Sequence, residues 1–167
     1  MTLRTVSLFL AVLLFFHSAG ALAAPEGSGL PLPRFVSLRA AEANMRTGPG
    51  QRYPIKWVYQ RAFLPLEIVA EYHHWRRVRD VAGTEGWIHK NMLSGRRYVL
   101  VVTDRTDLHA EASMASPLIG RMEAMVIGRL LDCPAKTLWC QIEVNGMRGW
   151  VARTDLWGIY PNEILAR

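Results

Sequence analysis

The stretch Trp75-Arg76-Arg77-Val78, followed after seven residues by Gly86-Trp87-Ile88, decides the fold because it occurs twice in the chain. The second copy begins at Trp139-x-x-Ile142, 64 residues later, and continues at Gly149-Trp150-Val151, 63 residues later. A pattern of Trp-x-x-apolar followed in register by Gly-Trp-apolar indicates an internal repeat. A repeat of this length is a whole small domain and not one unit of a solenoid.

Each copy has the sequence pattern of consecutive β-hairpins. Residues 64–70, 75–81 and 85–88 are rich in strand-favouring side chains and are separated by short turns that are polar or contain glycine. Residues 89–92 predict one helical turn, and residues 123–155 repeat the whole arrangement. No window has a long helical period, so the sequence predicts an all-β fold.

Strand parity predicts which side chains fill the interior. Positions two apart share a face of a strand, so Cys140, Ile142 and Val144 form a candidate core row and Trp139 faces the other way. By the repeat, Trp75 also faces away from the core, where it either covers the end of the domain or lines a surface groove. We expect Trp87 and Trp150 in the two cores, because large aromatic rings dominate the burial of small domains.

The segment Asn44-Met45-Arg46-Thr47-Gly48-Pro49-Gly50 resembles the opening signature of bacterial SH3 domains. The later Trp-x-x-Val and Gly-Trp-Ile segments resemble the signatures that follow it in the same family. The resemblance implies two tandem SH3-like β-barrels, with domain 1 at residues 35–97 and a divergent domain 2 at residues 98–167. It also implies a binding module for peptidoglycan, cell-wall peptides or other proteins.

The second copy departs from the opening signature. It has Asp107-Leu108-His109-Ala110-Glu111-Ala112, without the Arg, Gly and Pro of the first copy. We therefore expect domain 1 to be the binder and domain 2 a degenerate partner. Because domains of about 60 residues are marginally stable, we also expect domain 1 to pack on domain 2, with residues 98–103 as a short, stiff connection.

The N-terminus predicts export to the periplasm or secretion. Arg4 precedes an apolar run over residues 6–16, and Ala21-Leu22-Ala23 gives an Ala-x-Ala cleavage site. Residues 1–23 are therefore interpreted as a signal peptide. A membrane anchor is the alternative, but the run is shorter than the roughly 20 apolar residues that a spanning helix needs. We expect a flexible Pro/Gly-rich linker at residues 24–34 and no transmembrane segment in the mature chain.

The only two cysteines, Cys133 and Cys140, agree with an oxidising compartment. Their spacing excludes a C-x-x-C redox motif, and the chain has no second pair of ligands at zinc spacing. A local disulfide that clamps a hairpin is the favoured interpretation, and two free buried thiols are the alternative. We predict no metal and no cofactor.

Positive charge is concentrated in the first copy. Residues 34–97 carry 12 basic and 5 acidic side chains, a net charge of +7, whereas residues 98–167 carry 7 and 8, a net charge of −1. A basic surface attracts polyanions or acidic membrane surfaces, although net charge also serves solubility. Nucleic acid is not an expected partner outside the cytoplasm.

Aromatic and basic residues cluster in the first copy and form the candidate ligand site. Guanidinium groups pair with carboxylates in a two-pronged geometry, and aromatic rings line the shallow grooves in which extended peptides dock. We therefore predict peptidoglycan peptides as the ligand, or alternatively an envelope protein or peptide. The candidate ligand-binding residues are Arg46, Arg52, Tyr53, Tyr72, His74, Trp75 and Arg76.

No arrangement typical of an enzyme is found in the sequence. The chain has no Gly-x-Ser-x-Gly segment, and its cysteines are better explained as a pair than as a nucleophile. His73-His74 resembles half of a metal site, but adjacent strand residues point to opposite faces, so an exposed polar turn is the preferred interpretation. We predict a protein that is not an enzyme.

Overall fold

A computed structural model describes residues 27–165 of the chain, which form two antiparallel sheets of seven strands each. The predicted signal peptide, its cleavage after Ala23 and the first three residues of the predicted linker lie outside the described residues. Within residues 27–165, no helix is long and apolar enough to span a bilayer.

The first sheet has the order β3-β2-β6-β5-β4-β1-β7. A single 3-10 turn, Lys90–Met92, precedes its last strand. We refer to this sheet and its turn as module 1. Its strands are β1 Arg34–Leu38, β2 Ala43–Arg46, β3 Ile55–Tyr59, β4 Pro65–Tyr72, β5 Trp75–Arg79, β6 Glu85–His89 and β7 Leu93–Ser94.

The second sheet, module 2, repeats the first strand for strand, in the order β10-β9-β13-β12-β11-β8-β14. Its 3-10 turn, Arg153–Asp155, again precedes the last strand. The prediction of an all-β chain with two tandem SH3-like units is confirmed. The strands are β8 Tyr98–Val101, β9 Arg105–His109, β10 Leu118–Glu123, β11 Ile127–Asp132, β12 Trp139–Val144, β13 Met147–Ala152 and β14 Leu156–Trp157.

The glycine of each Gly-Trp pair allows two strands to cross closely. A Cβ at Gly86 would lie 2.5 Å from Met45 Cγ and 2.8 Å from the Arg46 carbonyl oxygen, on β2. At Gly149 it would lie 2.6 Å from Leu108 Cγ, on β9. Met45 and Leu108 are fully buried, so each glycine makes room for the central side chain of its core.

Each module has its own apolar core. Cys140, Ile142 and Val144 belong to the core of module 2, as strand parity predicts. The expectation that Trp87 and Trp150 are core residues is wrong. Both side chains are half-buried and lie outside the cores, because their neighbours on either side take the inward positions of β6 and β13.

The expectation that residues 98–103 form a connection is also wrong. Tyr98–Val101 is a strand of module 2, paired with both β11 and β14. Val99, Leu100 and Val101 are almost fully buried, which explains why this apolar segment belongs inside a sheet. The connection between the modules is the shorter segment 95–97.

The described part of the predicted linker lies against module 1. Ser28 donates hydrogen bonds from its backbone N–H and its hydroxyl to the carboxylate of Glu71, the hydroxyl at 2.8 Å. Arg34 pairs with the same carboxylate. Burial alone would raise the pKa of Glu71, but the hydrogen bonds from Arg34 and Ser28 outweigh it and lower that pKa to about 2.

One end of each module is closed by a cross-strand link of different chemistry. In module 1, Glu71 lies opposite Arg76 across β4 and β5, and the Arg76 Nε is 2.9 Å from the Glu71 carboxylate. In module 2, the corresponding positions are Cys133 and Cys140, which form the predicted disulfide. A buried ion pair and a disulfide therefore occupy equivalent places in the two copies.

Side chains of the two modules also contact each other. The ring of Phe35 meets Trp157 edge-on at 5.0 Å between centroids and lies 4.7 Å from Tyr160. The Tyr160 hydroxyl donates a 2.8 Å hydrogen bond to Glu67, a buried carboxylate of β4. The packing of domain 1 on domain 2 stays a prediction, and these contacts support it.

Gly86→Ala should destabilise module 1. Overpacking of this kind costs about 1–3 kcal/mol, because Met45 and the backbone of β2 leave no space for the added methyl group. Urea denaturation of the mature chain measures the change. Gly95→Ala is the matched control, since a Cβ there meets no atom within 4 Å, and equal losses in the two variants would contradict the close-crossing explanation.

Glu71→Gln should remove an acid-sensitive part of the stability. A carboxylate whose folded pKa is about 2 stabilises the fold above its ordinary pKa of 4.5, and that contribution is lost as the pH falls from 4.5 towards 2. We expect the variant to be less stable than the wild type by roughly 1.5–3 kcal/mol at pH 7. The gap should close near pH 2.

Urea denaturation at pH 7, 4.5 and 2 measures this gap, with and without a reductant. Reduction of Cys133–Cys140 should destabilise wild type and variant equally, because that disulfide lies in module 2. A gap between wild type and variant that stays constant down to pH 2 would show that Glu71 does not act as a carboxylate.

Candidate binding surface

The outer face of β2, β5 and β6 in module 1 carries rows of aromatic and basic side chains. Trp75 on β5 lies opposite His89 on β6. Arg77 lies opposite Trp87, which in turn lies opposite Arg46 on β2. Cross-strand neighbours share a face of the sheet, so these five side chains form one surface, which we call the aromatic face.

The loop over residues 47–54 borders the aromatic face and is held by Arg46. The Arg46 Nη1 donates to the backbone carbonyls of Gln51, at 3.1 Å, and Tyr53, at 2.8 Å. The Tyr53 ring lies over Gly48, where a Cβ would clash with it. Arg46 therefore positions the loop, and its role as a ligand-binding residue stays a prediction.

Arg52, Tyr53 and Tyr72 come together at one edge of this surface. The Arg52 guanidinium lies 5.2 Å from the centre of the Tyr53 ring and donates a 3.4 Å hydrogen bond to its hydroxyl. This hydrogen bond is the main cause that raises the pKa of Arg52, and a smaller contribution comes from Tyr72, beyond the end of the loop. Arg52 and Tyr72 are both exposed.

The histidines of the β4–β5 turn and β6 surround Trp75. The His89 ring meets Trp75 edge-on at 5.4 Å, and the His74 ring lies 6.1 Å from His89. Burial, followed by the nearby His74, Lys90 and Arg76, lowers the pKa of His89. His89 is therefore uncharged at neutral pH and acts as an aromatic partner of Trp75.

Arg76 does not contribute to the aromatic face, contrary to the prediction that groups it with Trp75 as a ligand-binding residue. Its side chain is buried, and its Nε pairs with Glu71. Its Nη1 donates to the carbonyls of His73 and Trp75, both at 3.0 Å. Strand parity explains the error, because Arg76 shares the inward face of β5 with Val78, while Trp75 points outward.

The same face of module 2 contains a recess that the sequence did not predict. A cavity of about 440 Å³ opens above Trp139, at the place that His89 fills in module 1, because its counterpart Ala152 is small. His109 is only 4% exposed and meets the Trp139 ring edge-on at 5.2 Å. The full lining is Arg105, Thr106, Asp107, His109, Met114, Arg121, Trp139, Ala152 and Asp155.

The first loop of module 2 keeps its geometry although its signature has changed. His109 is the counterpart of Arg46, and its Nδ1 lies 3.2 Å from the Ser116 carbonyl. The backbone N–H of Ala110 donates to Pro117 as that of Thr47 does to Pro54, each at 3.0 Å. The loop is therefore conserved in shape although Arg, Gly and Pro are lost. The 63-residue spacing between Arg46 and His109 is the sequence signal that identifies His109 as the counterpart of Arg46.

The part of the chain that the structure describes contains no candidate metal site. No three side chains among its histidines, cysteines, aspartates and glutamates come close enough together to hold an ion. His73 and His74 lie in the exposed turn between β4 and β5, as the sequence predicts.

Comparison with known proteins identifies the repeated unit. A family model for the bacterial SH3 domain matches residues 39–95 and again residues 103–158. No curated protein matches the chain.

Two solved structures from Trichomonas vaginalis, NlpC2 and NlpC1, are similar at low level. They are 15% and 13% identical to this chain, with TM-scores of 0.35 and 0.36, over 75% and 78% of its length. The chain spans about half of their length, 48% in each case.

Proposed function

The chain belongs to the bacterial SH3 domain family, and from this premise we propose that it is an exported, non-enzymatic adaptor that binds peptidoglycan peptides. The proposed site is the aromatic face of module 1 together with Arg52, Tyr53, Tyr72 and His74 at its edge. The predicted signal peptide supports export, since peptidoglycan lies outside the cytoplasm.

The observation that carries the proposal is the exposed guanidinium of Arg52 beside the Tyr53 ring. Its hydrogen bond goes to the Tyr53 hydroxyl and not to a carboxylate. An acidic ligand can therefore pair with it without displacing a stronger partner. The rings of Tyr53, Tyr72 and Trp75 offer apolar surface to the rest of an extended peptide.

The charge of module 1 supports an acidic ligand. The region over residues 34–97 has a net charge of +7, which draws anionic cell-wall material towards this half of the molecule. Module 2 is nearly neutral overall, and the two arginines at its recess, Arg105 and Arg121, are accompanied by Asp107 and Asp155. The first module is therefore the proposed binder.

A specific observation favours a second function, binding to an envelope protein. The edge strand β3 carries three exposed apolar side chains: Ile55 is 48% exposed, Trp57 56% and Val58 40%. β3 lies at the end of its sheet, so one of its sides has no partner strand in the described residues. An unpaired edge of this kind accepts an extended segment of another protein as an added strand.

Sedimentation with purified peptidoglycan over a salt series tests the first function. We expect the mature chain to be retained at low salt and released as salt rises, because screening weakens exposed ion pairs. Arg52→Ala with Trp75→Ala should reduce retention at least tenfold. The matched control is Arg121→Ala with Trp139→Ala, which makes the same two changes on module 2.

Two outcomes would contradict this assignment. Loss of retention in the module 2 variant alone would move the site to the recess, and no retention at any salt would leave envelope proteins as the partner. Incubation with purified muropeptides should give no product by mass spectrometry, and turnover would overturn the non-enzymatic assignment.

A further inference from the structure

The ends of the two barrels that carry the Glu71–Arg76 and Cys133–Cys140 links are closed to different extents. In module 2, the chain after β14 turns back over the opening, and Ile159 is buried in the core. Leu165 then pairs with Cys133 through two backbone hydrogen bonds, of 2.8 and 3.1 Å. We call residues 158–165 the tail.

Two arginines hold the tail in place. The buried Arg153 donates from its Nη1 to the carbonyls of Tyr160, Pro161 and Glu163, at 3.2, 3.1 and 2.6 Å. Arg97 pairs with the Glu163 carboxylate and donates a 2.6 Å hydrogen bond to the Gly158 carbonyl. The tail therefore seals module 2 with a turn at Pro161 and Asn162, two apolar side chains, Ile159 and Leu165, and one acidic side chain, Glu163.

Module 1 repeats these cations without a tail. Arg34 and Lys90 precede Arg97 and Arg153 by 63 residues. Arg34 is the first residue of β1 and Arg97 directly precedes β8, while Lys90 and Arg153 each begin the 3-10 turn of their module. The chain after β7 does not turn back, because residues 95–97 lead directly into module 2. The opening stays a cavity of about 520 Å³.

The cavity combines an apolar floor with a cationic rim. Val36, Ile68 and Leu93, all core residues of module 1, form its floor. Its rim includes Arg34, Arg76, Lys90 and Arg97. The segment that carries Ser28 and Leu30 lines one side of the rim, where Ser28 contacts Glu71, and no residue between 27 and 165 fills the cavity.

The rim has more cations than carboxylates. Glu71 pairs with both Arg34 and Arg76, and Glu163 pairs with Arg97. Lys90 is exposed, and its ammonium makes no hydrogen bond or ion pair within residues 27–165. The rim therefore has four cations and two paired carboxylates. Lys90, the cation without a carboxylate partner among the described residues, corresponds to Arg153 of module 2.

We propose that this cavity binds an acidic segment of a partner polypeptide, in the way that module 2 binds the tail. An apolar side chain enters the cavity, as Ile159 does, and Lys90 donates to backbone carbonyls of the segment. An acidic side chain four residues further on faces the cationic rim, as Glu163 does. This site is separate from the aromatic face, and it does not depend on the proposed peptidoglycan binding.

Fluorescence anisotropy with a labelled, amidated peptide of the tail sequence, residues 158–165, tests the proposal on the mature chain. Lys90→Glu should weaken binding at least tenfold, because it reverses the unpaired charge at the rim. Lys56→Glu is the matched control, since Lys56 lies on the opposite edge strand, and it should change the affinity less than twofold. A peptide with aspartate in place of Ile159 should not bind.

Three results would overturn the proposal. The first is that the peptide does not bind the mature chain at millimolar concentration. The second is that wild type and Lys90→Glu bind the peptide with equal affinity. The third is a dimer in which the tails of two copies exchange. Light scattering after size exclusion detects the dimer. Lys90→Glu and Lys56→Glu lower the net charge of module 1 equally, so they should change peptidoglycan retention equally while only Lys90→Glu weakens peptide binding. A failure of this proposal is therefore distinguishable from a failure of the proposed function.

Discussion

The close crossing of one strand over the glycine of a neighbouring strand is the constraint on which both modules depend. At Gly86 and Gly149, the backbone of β2 or β9 lies so near that no Cβ fits. This approach places Met45 and Leu108 at the centres of the cores and turns the adjacent tryptophans outward. The glycine of each Gly-Trp pair therefore makes room for the core, and the tryptophan beside it becomes an aromatic residue of the outer face.

The two modules link the strands at one end of a small barrel with different chemistry at equivalent positions. Module 2 uses a disulfide and a tail, neither of which changes charge at ordinary pH. Module 1 uses Glu71 between Arg34 and Arg76, which keeps charged groups at an opening lined by apolar side chains. The disulfide-linked end of module 2 is covered by the tail, whereas the ionic end of module 1 has charged groups beside a cavity that no residue between 27 and 165 fills.

The sequence predicted the fold well because its repeat lies in positions that the core requires. Strand parity predicted the inward row from Cys140 to Val144, and the spacing of the two cysteines in an exported chain predicted the disulfide. The burial of Trp87 was predicted wrongly because aromatic size was given more weight than parity. Residues 98–103 were predicted as an extended connection and not as a paired strand, because a first strand has no local partner and pairs only with distant ones.

The site was less predictable because charged side chains can serve either the fold or a ligand. Arg46, Arg52 and Arg76 have the same chemistry, yet Arg46 holds a loop, Arg76 holds a buried carboxylate, and Arg52 faces solvent. Only the partners of each guanidinium separate these roles, and those partners depend on strand pairing. Comparison of the two copies supplies the missing information, since Arg76 aligns with a disulfide cysteine and so belongs to the framework. By the same comparison, Lys90 aligns with Arg153, which binds the tail, and this correspondence is the basis for proposing a second binding site in module 1.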